Sequence, residues 1–217
     1  MDVASLYHER FSEADRAWKT ELWKVLWAHT FAPYVKAGDT LLDLGAGSCE
    51  PINAARAARR IAVDSNAEVA RHADQGVEAV VAPAHELSFL ADGTVDVVFM
   101  SNFLEHMPDK DAVVAVLSEA RRVLRAGGRL LCMGPNIRAD PAQYWDFFDH
   151  HVALSDRSLA EVLGALGFTV ERVMPRYLPL TTKSALPRSL LLVRVYLALM
   201  PLSSRILGRQ FLIVARR

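Results

Sequence analysis

The chain is poor in cysteine, and its two thiols, Cys49 and Cys132, stand far apart with no C-x-x-C spacing. That argues against a disulfide framework and gives no support to a zinc site, so a reduced, cytoplasmic protein is expected. No apolar run approaches the ~20 residues that a helix needs to cross a bilayer. The nearest, SLLLVRVYLALM from Ser189 to Met200, is about a dozen residues. The N-terminus, MDVASLYHERFSEADRAWK, mixes charges and lacks an apolar stretch of the signal-peptide kind, so no secretion signal is expected. Internal repeats and low-complexity segments are missing too. So is acid from the last fifth of the chain: from Arg172 onward there are nine basic residues and no Asp or Glu. The balance of 25 basic and 25 acidic residues therefore hides an acidic body and a basic tail.

What is present is globular: 52% apolar and 23% charged residues in 217, enough for one α/β domain and too few for two of ordinary size. Residues 5–36 read as one or two helices, with Leu6, Phe11, Trp18, Leu22, Val25, Leu26 and Phe31 at roughly helical spacing and Pro33 ending the run. Trp18, Trp23 and Trp27 are spaced too closely to share one face, which predicts packing on more than one side. Strands and helices then alternate: LLDL, a helix through INAARAARR, IAVD, a helix through AEVARHA, VEAVVA, VDVVFMS, a helix through KDAVVAVLSEARRVL, and RLLCMGP. This rhythm predicts a parallel sheet covered on both faces. Beyond it come a helix SDRSLAEVLGALG, with Ser155 as N-cap and Gly167 at its stop, then strands FTVERVMP and QFLIVARR.

The most informative stretch is LLDLGAGSCE, where an apolar strand ends on Asp43 and enters a turn with Gly45 and Gly47. Such a turn is expected to present bare backbone N–H groups and a carboxylate to an adenosine-type ligand. Alone, G-x-G after a strand is often only a tight connection. IAVDSN adds a second carboxylate, Asp64, at the end of the next strand, one helix away and back at the same sheet edge. A carboxylate there suits a ribose diol.

These residues resemble the class I S-adenosylmethionine-dependent methyltransferases. DLGAGSCE is similar to the family's first motif, IAVDSN to its acidic second, VDVVFMSNFLEHM to its strand-four segment and LRAGGRLLCMGPN to its strand-five segment. The resemblance implies a three-layer Rossmann-like sheet of seven mostly parallel strands, the last antiparallel, with N-terminal helices and a helical insertion before that strand. It divides a single domain of 217 residues into a helical cap at 1–37, a cofactor-binding core at 38–175, an insertion or lid at 176–209 and a final strand at 210–217. For S-adenosylmethionine it implies Gly45, Ala46 and Gly47 around the methionine part, Asp43 near its ammonium, Asp64 on the ribose, Ser65 beside the adenosine and Asn102 facing the sulfonium end. Two departures stand out. Cys49 replaces a third glycine and is followed by Glu50, which itself approaches the ammonium. Pro83 replaces an adenine-binding Asp, leaving adenine to the backbone of Ala84 or His85, or to the side chains of His85 or Glu86.

YWDFFDHH, PRYLPLTTKSALP and GRQFLIVARR further resemble bacterial methyltransferases found alongside surface-polysaccharide and lipid-modifying enzymes. This implies a small polar, glycan or lipid-linked acceptor, methylated at oxygen. A hydroxyl needs a general base, for which His106 and His151, with neighbouring His150, are the candidates. The competing use of Glu105 and His106 is to cap the helix beginning near Pro108, and of His151 to anchor its loop. Residues 176–209 are open to three roles: a buried or homodimer-forming helix, a lid, or, through 186–209, a peripheral contact with the inner face of a membrane through Arg188, Arg194 and Arg205. Alternatives to methyl transfer are an NAD-dependent dehydrogenase, which shares the Gly turn and ribose acid, and a noncatalytic cofactor-binding partner subunit. Nucleic-acid binding is not expected, since the basic tail is mostly apolar between its arginines and no base-flipping motif follows strand four.

Overall fold

Alternating apolar strands and helices build one seven-stranded sheet in the computed structural model, which describes residues 13–179 and 188–217. Helix α1 (Glu13–Leu26) runs on into a π-helical turn, Trp27–Phe31, and a 3-10 turn, Ala32–Tyr34. There follow β1 (Thr40–Leu44), α2 (Glu50–Ala54), β2 (Arg59–Asp64), α3 (Val69–His72), β3 (Val77–Val81) and β4 (Val95–Ser101). Next come α4 (Lys110–Val123), β5 (Leu124–Pro135), α5 (Pro141–Tyr144), α6 (Asp156–Ala165) and β6 (Thr169–Met174). Then α7 (Leu190–Ala198), α8 (Leu202–Leu207) and β7 (Gln210–Arg216) close the chain. The sheet order is β3-β2-β1-β4-β5-β7-β6, with β7 antiparallel to both β5 and β6 and the other pairs parallel.

From β1 the chain moves outward to β2 and β3, then returns to place β4 on the other side of β1. That reversal opens a crevice at the carboxyl ends of β1 and β4, where ligands of such sheets bind. Leu44 lies opposite Val63 on one side and Met100 on the other, so the tips carrying Gly45, Asp64 and Asn102 are level.

Both faces are buried, and strand residues alternate between them. Leu42, Leu44, Ile61, Val63, Val98 and Met100 pack with α4 and α6, while Leu41, Ala62, Val97 and Phe99 pack with α1 and Tyr177. Asp43 thus shares its face with Leu41, toward α1. The tryptophans correct the expectation of divergent packing: Trp23 and Trp27 both meet Phe99 edge-on, at 5.9 and 5.4 Å, and Trp18 joins the same cluster. Positions i and i+4 of a helix lie on one face, so these two rings converge. Leu6 and Phe11 lie outside the described residues, as does part of the 176–209 connection.

The helices expected through INAARAARR and AEVARHA are far shorter. Ala55 turns extended after α2, and the Asn53 side chain ties α2 to the end of α3 by donating to His72 O and accepting from Asp74 N. Arg59 and Arg60 open β2 instead, where Arg59 pairs with Glu78 of β3. The alanines between α2 and β2 form an irregular link despite their helix propensity, with Ala58 N–H donating to Asp39 O at 3.0 Å. The caps of α6 follow expectation: Ser155 Oγ accepts from Ser158 N, Ser158 Oγ from Ser155 N, and Gly167 takes φ +83°. Among the described residues no helix is long and apolar enough to cross a membrane.

Candidate functional site

The turn after β1 is held by β2. Gly45 N–H and Ala46 N–H both donate to Val63 O, at 2.9 and 3.1 Å, and Gly47 N–H donates to Asp64 Oδ2 at 2.8 Å. The bare N–H groups expected there are therefore already engaged, and the turn is an acceptor-rich surface. The two glycines serve different needs. A Cβ on Gly45 (φ +73°) would fall 2.2 Å from Phe103 Cδ2, whereas one on Gly47 (φ +49°) would meet nothing within 4 Å. Gly45 lets Phe103 lie on the turn; Gly47 leaves the approach open. Gly45→Ala should cost ~2–4 kcal/mol in urea denaturation, from left-handed strain plus overpacking, and Gly47→Ala only ~1–2 kcal/mol from strain. Equal losses would show that Phe103 is not wedged there.

Cys49 replaces the third glycine because the turn still demands that conformation: φ is +61°. Its side chain is fully buried against Val69 O at 3.6 Å, and burial, with the acids Asp43 and Glu50, pushes the thiol up to about 12. It stays neutral and structural. Asn102, at the tip of β4, is among the described residues the other non-glycine residue in left-handed backbone, at φ +49°. Strained residues of this kind cluster at functional sites.

Three acids converge on the turn. Asp64 accepts from Gly47 N–H and from Asn66 N–H, both at 2.8 Å, so its carboxylate is fixed and retains lone pairs for a ligand. Asp43 is buried, and desolvation followed by repulsion from Asp64 and Glu50 holds its carboxyl well above the usual range. Asp43 Oδ2 and Glu50 Oε1 are buried without a hydrogen-bond partner. Orphaned acceptors of this sort are costly, and a cationic donor brought to them would offset that cost; on Glu50 the charge of the Lys19 ammonium already acts. The donor set therefore fits the cationic amino-acid end of S-adenosylmethionine.

Beside these acids lies a cavity of about 600 Å³ lined by Gly45, Gly47, Asp64, Ser65, Asn102, His106 and His151, among others. It thus gathers most of the residues read from sequence. Asp43, Ala46 and Glu50 lie behind its wall. Ala84 and His85 are not on it: His85 is exposed and pairs with Glu86 at 3.6 Å. Beyond Asp64 the wall is formed instead by Asn66, Ala67, Glu68 and His72, and a cation enters from α1, Arg16. Sequence reading missed Arg16 because nothing local links α1 to the sheet edge; Asn66 to Glu68, directly after Asp64, could have been included.

The histidines meet two buried acids. His106 Nδ1 lies 2.8 Å from Asp149 O and 3.5 Å from Asp149 Oδ2, and its Nε2 lies 3.9 Å from Glu105 Oε1. A carbonyl only accepts, so in the neutral ring Nδ1 carries the proton and Nε2 keeps its lone pair. His150 is buried, edge-on to His106 and stacked on Phe147. Single ligand-type atoms of Glu105, His106 and His150 lie within 4.8 Å of one another, so among the described residues this is the group that could hold a metal. His151 is exposed, while its backbone N–H donates to Glu105 O at 2.9 Å. The competing role of helix cap is taken by Asp109, which accepts from Ala112 N; Glu105 and His106 sit in a separate 3-10 turn.

Burial pushes Glu105 up to about 7, with Asp149 adding to the shift and His106 opposing it. Below its ordinary value of 4.5 the carboxyl is protonated folded or unfolded and costs nothing. As pH rises toward 7 the unfolded chain loses the proton first, so the folded state is progressively destabilised relative to it through that window. Glu105→Gln should therefore gain stability relative to wild type between pH 4.5 and 7, by on the order of 3 kcal/mol. Parallel stability curves would remove the assignment.

Residues 42–132 match the family described as Methyltransferase domain. A stretch of 108 residues, 44% of the chain, is 38% identical to 27-O-demethylrifamycin SV methyltransferase of Amycolatopsis mediterranei (strain S699), covering 38% of that protein. Another of 162 residues, 64% of the chain, is 30% identical to a 37.1 kDa protein in transposon TN4556 of Streptomyces fradiae, covering 46% of it. The chain thus spans less than half the length of these curated relatives. A solved SAM-dependent methyltransferase from Archaeoglobus fulgidus shares the fold, with TM-score 0.71 over 100% of both chains at 23% identity. Four motifs in order and the family match over 42–132 thus make this stretch similar to a methyltransferase domain, on a sheet whose fold a solved SAM-dependent methyltransferase shares.

Proposed function

We propose that the protein transfers a methyl group from S-adenosylmethionine to a hydroxyl oxygen of a small polar, glycan or lipid-linked acceptor. The observation that carries this reading is the juxtaposition of the acid cluster at the Gly45–Gly47 turn with a cavity onto which His106 opens. When bound, the cofactor supplies an electrophilic methyl on a sulfonium leaving group. Asp64 would hold the ribose hydroxyls and Asp43 and Glu50 the ammonium. Arg16 suits the methionine carboxylate, and Asn66 to Glu68 with His72 suit the adenosine side, in place of the side chains of His85 and Glu86. His106 Nε2 would take the acceptor's proton as its oxygen attacks, with Asp149 stabilising the imidazolium through Nδ1–H. His151, at the rim, is the second base candidate.

Oxygen as the recipient accords with the name of the Amycolatopsis relative, a 27-O-demethyl substrate's methyltransferase. Trp145 and Phe148, exposed in the loop that leads to Asp149 and His151, offer aromatic faces of the kind that sugars and other amphipathic acceptors stack on. We keep 38–175 as the cofactor-binding core of a single domain, with 1–37 as its cap and 210–217 as its last strand. A lipid-linked acceptor would be met through 186–209 at the inner face of a membrane; a homodimer is the competing use of those helices.

Calorimetry with S-adenosylmethionine, its demethylated product and NAD tests the cofactor, and methyl-labelled cofactor incubated with hydroxylated metabolites, glycans and lipids tests the acceptor. Binding of NAD without the sulfonium cofactor would overturn the reading, and labelling confined to amines would overturn the oxygen assignment.

A further inference from the structure

Helix α7, LLLVRVYLA, is apolar on every side apart from Arg194, the composition of a helix enclosed by protein or lipid. Yet of its residues only Leu197 is buried. Seven of the thirteen exposed large apolar side chains among the described residues lie between Leu191 and Leu207, with Leu191 68% exposed and Ile206 65%. Leu191, Val195 and Leu199 follow at four-residue steps, as do Leu202 and Ile206 on α8, so each set forms a stripe. An apolar patch of this kind on a surface marks a contact.

The charges select what makes it. Arg194 and Arg205 are the only charged residues from Ser189 to Leu207. Both are exposed and set within the apolar stripes, and among the described residues neither has an ion-pair partner. Other arginines of the basic tail are satisfied by the body: Arg188 by Asp15, Arg209 by Asp140 and Arg216 by Glu171. A second copy docked about a two-fold axis would bring Arg194 and Arg205 into an apolar interface with no acid of the same helices to meet them. Nor can either helix span a bilayer: nine residues rise ~14 Å against a hydrocarbon core of ~30 Å. What remains is an anionic surface with an apolar interior.

We propose that α7 and α8 form an in-plane docking surface for an anionic lipid bilayer, their leucines entering the acyl boundary and Arg194 and Arg205 meeting headgroup phosphates. An open crevice of about 560 Å³ between α1 and α7 borders the surface; Arg194 lines it together with Lys24, which pairs with Glu21 at 2.7 Å. The surface deepens the proposed methyl transfer to a lipid-linked acceptor and rests on that reading for its purpose, while none of its residues lines the cavity at the sheet edge, so vesicle binding and cofactor binding can fail separately.

Co-sedimentation of the full chain with phosphatidylcholine vesicles, with and without phosphatidylserine, tests it. Binding is expected only to the phosphatidylserine vesicles. It should weaken about 25-fold in Arg194→Gln/Arg205→Gln, roughly fivefold per arginine, and fade as salt shrinks the Debye length from ~10 Å toward ~3 Å. Leu199→Ser/Ile206→Ser should abolish it at every salt concentration, with melting temperature and binding of the demethylated cofactor unchanged in both variants. The proposal is overturned if wild type ignores anionic vesicles or binds both kinds equally. It is overturned equally if the arginine variant, exposed and unpaired and so safe for the fold, binds as wild type does, or if the leucine variant instead dissociates a dimer.

Discussion

His106→Gln lowers kcat by about 10²–10⁴-fold, the range expected when a positioned general base is lost, while affinity for the demethylated cofactor stays within about twofold of wild type. The split follows from placement. His106 opens onto the cavity from the turn after β4, and its Nδ1 is tied to Asp149 O at 2.8 Å, so the ring's job is oriented by the protein rather than by the cofactor. Glutamine keeps a donor for the Asp149 carbonyl and removes the imidazole base. Unchanged turnover would move the proton to His151, the other histidine on the cavity wall, and His151→Gln would then carry the loss.

Asp64→Ala should weaken binding of S-adenosylmethionine and its product by about 10²–10⁴-fold, since two hydroxyl-to-carboxylate bonds at ~1.5–3 kcal/mol each are lost. A second effect separates this acid from a mere ribose contact. Its carboxylate also receives Gly47 N–H and Asn66 N–H, so the alanine variant leaves two turn donors unpaired and should lose a further ~1–3 kcal/mol of folding stability. Asp64→Asn, which keeps one acceptor oxygen, should fall between the two in both measurements. Calorimetry alongside urea denaturation reads the pair of effects; affinity within threefold of wild type in a folded Asp64→Ala would take the ribose away from Asp64.

The departures from the glycine-rich pattern were legible in the sequence, but their meaning was not. Cys49 read as crowding where a third glycine was expected; the turn in fact holds it in the left-handed conformation that glycine would supply. The expected bare amides of Gly45 to Gly47 proved engaged by Val63 O and Asp64. Ala84 and His85, expected to hold adenine in place of the residue that Pro83 replaces, lie off the cavity that Asn66 to Glu68 help to form. The apolar run at 189–200 was plain as a short helix, but its composition alone could not distinguish a buried helix from an exposed one.

Local chemistry determined what could be read along the chain. Period-two and period-3.6 apolar patterns located the strands and the longer helices, and a tight strand-to-helix turn demanded glycines beside strand-end acids. Hence the parallel sheet was open to sequence reasoning, and of the residues expected at its edge Gly45, Gly47, Asp64 and Asn102 meet on one cavity, with Asp43 outside its lining. Tertiary structure decided whatever depends on residues far apart in sequence. Arg16 reaches a cavity built by strands that follow it, Glu105 and His106 meet Asp149 and His150 across a long loop, and Arg194 and Arg205 are left without the acids that satisfy Arg188 and Arg209. Burial, which sets the protonation of Glu105 and Asp43, and exposure, which leaves α7 uncovered, are properties of the packed chain, because desolvation depends on every neighbour that folding brings within reach.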